Sequence, residues 1–296
     1  MSNLPLVLAL VLLVVPVVLV RAQAAIDDDA LEAWAGARGL ELTPASRPVV
    51  ARYLRRARTL RAWGAVVGIL LASLVELAWH GRLVVLGFGT DGSAAPYAGP
   101  MEAYIGYLVG AAAAELSFGR PRDRARPSAS LVPRRLEDYL PRRLLFAQRA
   151  LGVALVFAIM ALGLVPYPSS STTPAWSLLV GGAVFFAAFT VGLEALERWL
   201  VRRPQPFTSP ALVAADDAIR AQSLHALAGS GVALLLLGCS GVFAVLAGSD
   251  IALLRATMWL PALVAFVLSI SACLEISHQP WRVRRRVDRP AGAAPA

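Results

Sequence analysis

With 296 residues, 57% of them hydrophobic, and a mean hydropathy of +0.63, the chain is too apolar for a soluble globular domain. A formal net charge of +9 would point a soluble chain toward nucleic acid, but in a membrane chain the placement of charge matters more than its sum, and no nucleic-acid partner is expected. All 28 basic residues are Arg and none is Lys, a bias that with abundant Ala, Val and Leu fits a high-G+C genome.

A helix crosses about 30 Å of hydrocarbon with about 20 residues. Seven runs approach that length: 4–20, 62–80, 97–118, 144–165, 175–199, 226–247 and 256–276. The first is followed by "RAQAA", whose Ala22 and Ala24 resemble a signal-peptidase site. Yet "MSNLP" has no positive charge ahead of the apolar core and Arg21 lies behind it, so an uncleaved anchor with its N-terminus outside is expected, kinked at Pro16. After it, Asp27 to Asp29 offer a cap for a short helix carrying Leu31, Trp34 and Ala35.

Cytoplasmic flanks of membrane helices accumulate positive charge. The segments 21–61, 120–149, 198–220 and 282–289 hold 8, 9, 4 and 5 arginines, and the alternate connections hold only Arg82 and Arg255. Seven crossings satisfy this weave, including the run 97–118 that Glu102 and Glu115 interrupt. The expectation is an all-α polytopic bundle in the cytoplasmic membrane with its C-terminus in the cytoplasm. It comprises an N-terminal anchor (1–21), a cytoplasmic segment with an amphipathic lead-in helix (22–61), hairpin 1 (62–118), a basic loop (119–143), hairpin 2 (144–199), a cytoplasmic loop (200–225), hairpin 3 (226–276) and a basic tail (277–296).

The hairpins read as repeats. "YLRRARTLRAWG" at 53–64 and "YLPRRLLFAQRALG" at 139–152 share Tyr-Leu, an arginine pair and Arg-Ala-x-Gly, each ahead of an apolar run. A step of 79 residues carries Glu137-Asp138 onto Asp216-Asp217, "GVAL" at 152 onto "GVAL" at 231, and Glu115 onto Glu194. In the first lead-in Val50, Tyr53, Leu54, Ala57 and Leu60 form one apolar face among Arg52, Arg55, Arg56 and Arg58, the pattern of a helix lying on a bilayer, with anionic lipids as candidate partners of the arginines. Leu136, Tyr139, Leu140 and Leu144 repeat it, with Pro141 expected to break the helix.

Ionisable residues inside spans are candidate functional groups. Glu76 and His80, at i and i+4, could share a proton, with Arg82 and Glu102 nearby toward the outer side. Glu115, Glu194, Glu197 and Glu275 lie near helix C-termini at the depth of Arg58, Arg61 and Arg149. Either they are ion-pair latches between hairpins or they form a gate whose pairs break as the protein changes state. Gly106, Gly110 and Ala114 make a small-residue stripe, Gly238 and Gly241 thin the sixth run, and Cys239 and Cys273 fall at depths too different for a disulfide.

No phosphate loop, zinc motif or paired CxxC is present, and "AGSG" around Ser230 departs from an intramembrane-protease pattern at Ala228. No catalytic, cofactor or metal residue is therefore expected. The passages "LEAWAGARGLELTPASRPVVARYLRR" and "YLVGAAAAELSFGRPRDRARPSASLVPRRLEDYLP" resemble those of uncharacterised multi-pass membrane proteins of actinobacteria, a resemblance that implies location in the cytoplasmic membrane and no particular activity. The expected role is that of a non-enzymatic accessory or interaction component with an unspecified protein partner. The alternative is a small-solute or ion transporter with Glu76 and His80 as its coupling pair.

Overall fold

The computed structural model describes residues 27–80, 84–85, 88–89, 98–118, 134–167, 176–203 and 209–278. The predicted anchor at 4–20 and the basic stretches 119–133 and 279–296 lie outside the described residues. The helices are α1 (Asp28–Ala37), α2 (Arg47–His80), α3 (Ala98–Phe118), α4 (Arg142–Ala161), α5 (Trp176–Arg202), α6 (Pro210–Ala247), α7 (Ala252–Thr257) and α8 (Trp259–His278). A two-residue antiparallel ribbon, β1 (Val84–Val85) with β2 (Phe88–Gly89), follows α2. Four helices are long and apolar enough to cross a membrane: Arg142–Leu164, Trp176–Arg202, Pro210–Ala247 and Trp259–Ile276. A shorter apolar stretch, Tyr104–Ala114, lies within α3.

The long helices pack in pairs, α2 with α3, α4 with α5 and α6 with α8, and glycines set the closest approaches. Cβ atoms built at Gly64 and Gly68 of α2 would strike the backbone carbonyls of Gly106 and Glu102 on α3, and one at Gly110 would strike that of Leu60. Two small-x-x-x-small stripes thus face each other, Gly64 and Gly68 against Gly106 and Gly110, which lets the backbones touch where no apolar side chain fits. On the second pair, Gly152 of α4 abuts Thr190 of α5. On the third, Ser240 of α6 donates to the Ala262 carbonyl of α8 at 2.7 Å. These contacts bring the arginine-bearing ends of α2, α4, α5 and α6 to one end of the bundle, here called the base. At the other end Asp250 N donates to the Pro166 carbonyl at 3.0 Å.

Three sequence expectations are corrected by this arrangement. The lead-in 47–61 and the run after it are one 34-residue helix, α2, so the boundary expected at residue 61 is internal to a helix. Its apolar face does not lie on a bilayer: Val50, Tyr53, Leu54 and Ala57 are buried against Leu31 of α1, Ala114 of α3 and Ala215 and Ile219 of α6. Residues 210–225, expected as loop, form the first sixteen residues of α6, with Ser209 capping the helix through a bond from Leu212 N and Pro210 in its first turn. The 38 residues of α6 extend about 57 Å at about 1.5 Å each, well beyond a hydrocarbon core of about 30 Å. Polar residues in that first part obscured its helical period, yet α6 is buried along most of its length and forms the central post of the bundle.

Other local expectations match the fold. Asp27 caps α1 by accepting from Ala30 N at 2.8 Å, and Leu31 and Ala35 are buried beneath it. Pro141 stands at the N-cap of α4, between the 3₁₀ turn Leu136–Asp138 and the helix. Cys239 and Cys273 are free thiols.

The outward surface inverts the polarity of a soluble protein. Phe146 and Phe157 on α4, Leu178 and Val191 on α5, and Leu260 and Leu263 on α8 are all exposed. Two exposed tryptophans, Trp176 and Trp199, stand at the two ends of α5, separated by about 35 Å along the axis at about 1.5 Å per residue. Amphipathic rings at that separation fit the two interfaces of a bilayer, and Trp63 near the base and Trp259 at the opposite end are exposed as well.

Candidate functional site: the buried polar base

The base of α6 holds a polar cluster that the span-by-span reading missed. Asp216, Asp217, Arg220, Ser223 and His225 fall on several faces of the helix, and all five are buried because α2, α3, α4, α5 and α8 pack against it. Arg220 is fully buried. Its Nε donates to Asp216 Oδ2 at 2.8 Å, and its Nη1 lies 3.2 Å from the carbonyls of Leu200 and Val201 and 2.7 Å from that of Arg203. A helix C-terminus leaves carbonyls without intrahelical donors and carries partial negative charge; Arg220 answers both at the end of α5. Arg203 Nη2 reaches the other oxygen of Asp216 at 3.3 Å.

The neighbouring carboxylate ties in the second lead-in. Tyr139 donates to Asp217 Oδ1 at 3.2 Å, and Arg134 Nη2 stands 3.4 Å from the same oxygen. Burial and then the adjacent Asp217 charge push the Tyr139 phenol well above its ordinary range, so it remains a donor. The first lead-in arrives on another face: Tyr53 and Ser223 share a hydroxyl hydrogen bond at 2.5 Å, and Arg38 donates to Gln222 while its guanidinium stacks 4.4 Å from the Trp34 ring centre. Burial holds Arg38 below its usual range, to about 10, which leaves it charged at neutral pH. The tyrosines of the two repeated phrases, Tyr53 and Tyr139, thus both end on α6.

The predicted site residues are distributed differently. The structure brings Arg149 and Glu194 together across α4 and α5 in a two-pronged pair, and Arg198 joins the same carboxylate at 2.5 Å. Glu197 makes no ion pair among the described residues; it is fully buried on α5, beside the buried Gln148 of α4. Arg61 is buried, with its guanidinium 6.0 Å from the Tyr107 ring centre. Arg58 is half-buried and Glu275 exposed, and neither makes an ion pair among the described residues. Glu102 is half-buried near the start of α3. Glu76 and His80 occupy the last two turns of α2. Their side chains, that of Glu115, and Arg82 as a whole lie outside the described residues.

Chemically the base pairs most of its charges with one another; buried Glu197 is the exception, neither of its carboxylate oxygens having a hydrogen-bond partner among the described residues. Ser223 also donates to the Ile219 carbonyl at 2.9 Å, Ser230 to that of Ala226 at 2.8 Å, and His225 Nδ1 to that of Ala221 at 2.9 Å. These hydroxyls and the imidazole are turned back onto their own helix, and no described nucleophile stands against a base in a catalytic pairing. The i, i+4 spacing of Asp216 and Arg220 was the available sequence signal; it reads equally as a surface pair, and only the fold buries it. No family model, curated protein or solved structure matches the chain.

Proposed function

We propose that the chain is a non-enzymatic accessory component of the cytoplasmic membrane, crossing it seven times as an anchor plus three related hairpins, with the polar base and the C-terminus in the cytoplasm. The observation that carries the reading is the buried base itself, where α5 and both lead-ins are fastened to α6 through Arg220, Asp216, Tyr139 with Asp217, and Tyr53 with Ser223. Such a network holds a fixed platform at the membrane surface and uses its charges internally. Above it, the described stretch from Ala226 to Leu237 is buried and almost wholly apolar, poor material for a hydrated path.

Reconstitution into proteoliposomes under a pH gradient tests the reading. The platform predicts no proton flux beyond that of empty vesicles and no effect of Glu76→Gln; flux abolished by that substitution would establish the transporter alternative instead. The orientation is checked by reporter fusions, expected to report the outside after Pro166 and the cytoplasm after Arg135.

A further inference from the structure

Helix α2 presents two faces of opposite kind. Val50, Tyr53, Leu54, Ala57, Arg61, Gly64 and Gly68 turn inward, the last two against α3. Around the other side Arg52, Arg55, Arg56 and then, beyond half-buried Thr59, Trp63, Val67, Leu70 and Leu74 are exposed on one face of the helix. One unbroken helical stripe therefore runs from arginine through tryptophan to aliphatic side chains. Its buried opposite face fixes the rotation of the helix, so the arginines cannot turn away.

The spacing sets their depth. If Trp63 marks the interface, as exposed tryptophans do, Arg56, Arg55 and Arg52 start about 10 to 17 Å toward the base at about 1.5 Å per residue, and their long side chains reach back toward the phosphate layer. None of the three makes an ion pair among the described residues. Two of the three carboxylates of α1 are already engaged, Asp28 and Glu32 pairing with Arg47 at 3.2 and 2.9 Å, and the third, Asp29, makes no ion pair with the α2 arginines among the described residues. Three guanidiniums within two turns, unopposed by carboxylate and bordered by an interfacial ring, match the charge of lipid phosphates with no compensating amine.

We propose that Arg52, Arg55 and Arg56, with Trp63, form a headgroup site for anionic glycerophospholipid on the outer face of α2. This rests on the membrane reading above and deepens it: the lipid-contacting face of the lead-in is the arginine face, and protein covers the apolar one.

The test uses the full chain purified in zwitterionic detergent, with bound lipid counted by native mass spectrometry from mixed micelles of equal phosphatidylglycerol and phosphatidylcholine. The wild type retains phosphatidylglycerol in preference. The triple variant Arg52→Gln, Arg55→Gln, Arg56→Gln loses at least tenfold in that affinity, on the order of fivefold for each arginine. The equally discharged tail variant Arg284→Gln, Arg285→Gln, Arg286→Gln keeps the preference, and replacing the three α2 arginines by Lys retains most of it. Equal losses in the α2 and tail triples, or no preference in the wild type, would overturn the site. So would an α2 triple that loses binding to a poly-glutamate peptide yet keeps its lipid preference, since the occupant would then be an acidic protein segment. Wild-type chain released from membranes by alkaline carbonate sinks the membrane reading and the site together, whereas intact insertion without lipid preference sinks the site alone.

Discussion

Two of the ion pairs among the described residues, Asp216 with Arg220 and Arg149 with Glu194, share their chemistry and differ in nearly everything else. Asp216 and Arg220 are fully enclosed, and Arg220 reaches both Asp216 and the carbonyls of Leu200, Val201 and Arg203 at and just past the end of α5. Arg149 and Glu194 bridge α4 and α5 with the arginine half open to the surroundings. Both are built from residues near helix ends at the base, so chemistry and depth do not separate them. What separates them is the packing of whole helices: α6 is ringed by neighbours, and α4 and α5 turn one side outward. A buried pair loses hydration that its partners must replace in full, whereas an open pair keeps part of that hydration.

Breaking the enclosed pair should therefore have the largest effect. Arg220→Met leaves Asp216 buried with only Arg203 at 3.3 Å and strips the donors from the end of α5, a loss of roughly 3–5 kcal/mol. The expected readout is a thermal midpoint in detergent lowered by many degrees, or failure to accumulate in the membrane. The double variant Asp216→Leu with Arg220→Met should recover part of that loss, because no unpaired charge is then buried. A double variant as unstable as the single would mean that the α5 carbonyls, not Asp216, make the main demand on Arg220.

Next in size comes the crossing of α2 and α3. Gly106→Leu must separate backbones now in contact at Gly64, at a cost of roughly 1–3 kcal/mol if the helices part only locally. Gly192, whose added Cβ would meet nothing within 4 Å, is the control, and Gly192→Ala should leave the midpoint unchanged. Cysteine cross-linking between residues 60 and 110 would report whether the two helices still pair.

The stripe Gly106, Gly110 and Ala114 was legible in the sequence, but its partners Gly64 and Gly68 were not singled out, because a single helix does not announce which neighbour it meets. The same limit applies at the base. Helix ends were largely readable: the runs expected at 97–118, 175–199 and 256–276 correspond closely to Ala98–Phe118, Trp176–Arg202 and Trp259–His278. Hydropathy marks such ends because a sustained apolar run is local. Asp216, Asp217 and Arg220 carry the opposite signal, polar residues among alanines, and their burial depends on helices distant in the chain. The repeated Tyr-Leu phrase lay between these cases. Its recurrence was visible, while its role as a plug against α6, with Leu54 and Leu140 buried beside the two tyrosines, required the fold.

The two tyrosines offer a smaller and sharper contrast. Tyr139→Phe removes a donor from buried Asp217, which Arg134 still faces, and should cost about 1.5–3 kcal/mol as a bond to a charged group. Tyr53→Phe removes a neutral bond to Ser223, whose hydroxyl already donates to the Ile219 carbonyl, and should cost about 0.5–1.5 kcal/mol. Denaturation of both variants in one detergent ranks them; equal losses would mean that the Asp217 carboxylate draws little from Tyr139.

The open pair should show the smallest effect. Glu194→Gln leaves Arg149 and Arg198 without a carboxylate, but both guanidiniums are more than half exposed and can recruit water or lipid phosphate, so the expected loss is below about 1 kcal/mol. A double-mutant cycle with Arg149→Gln isolates the pair, with an expected coupling of a few tenths of a kcal/mol that shrinks further in high salt. Coupling on the scale of the Asp216–Arg220 pair would show that α4 and α5 are covered at this level by something outside the chain, such as a second copy or a partner, and would make Glu194 an interface residue.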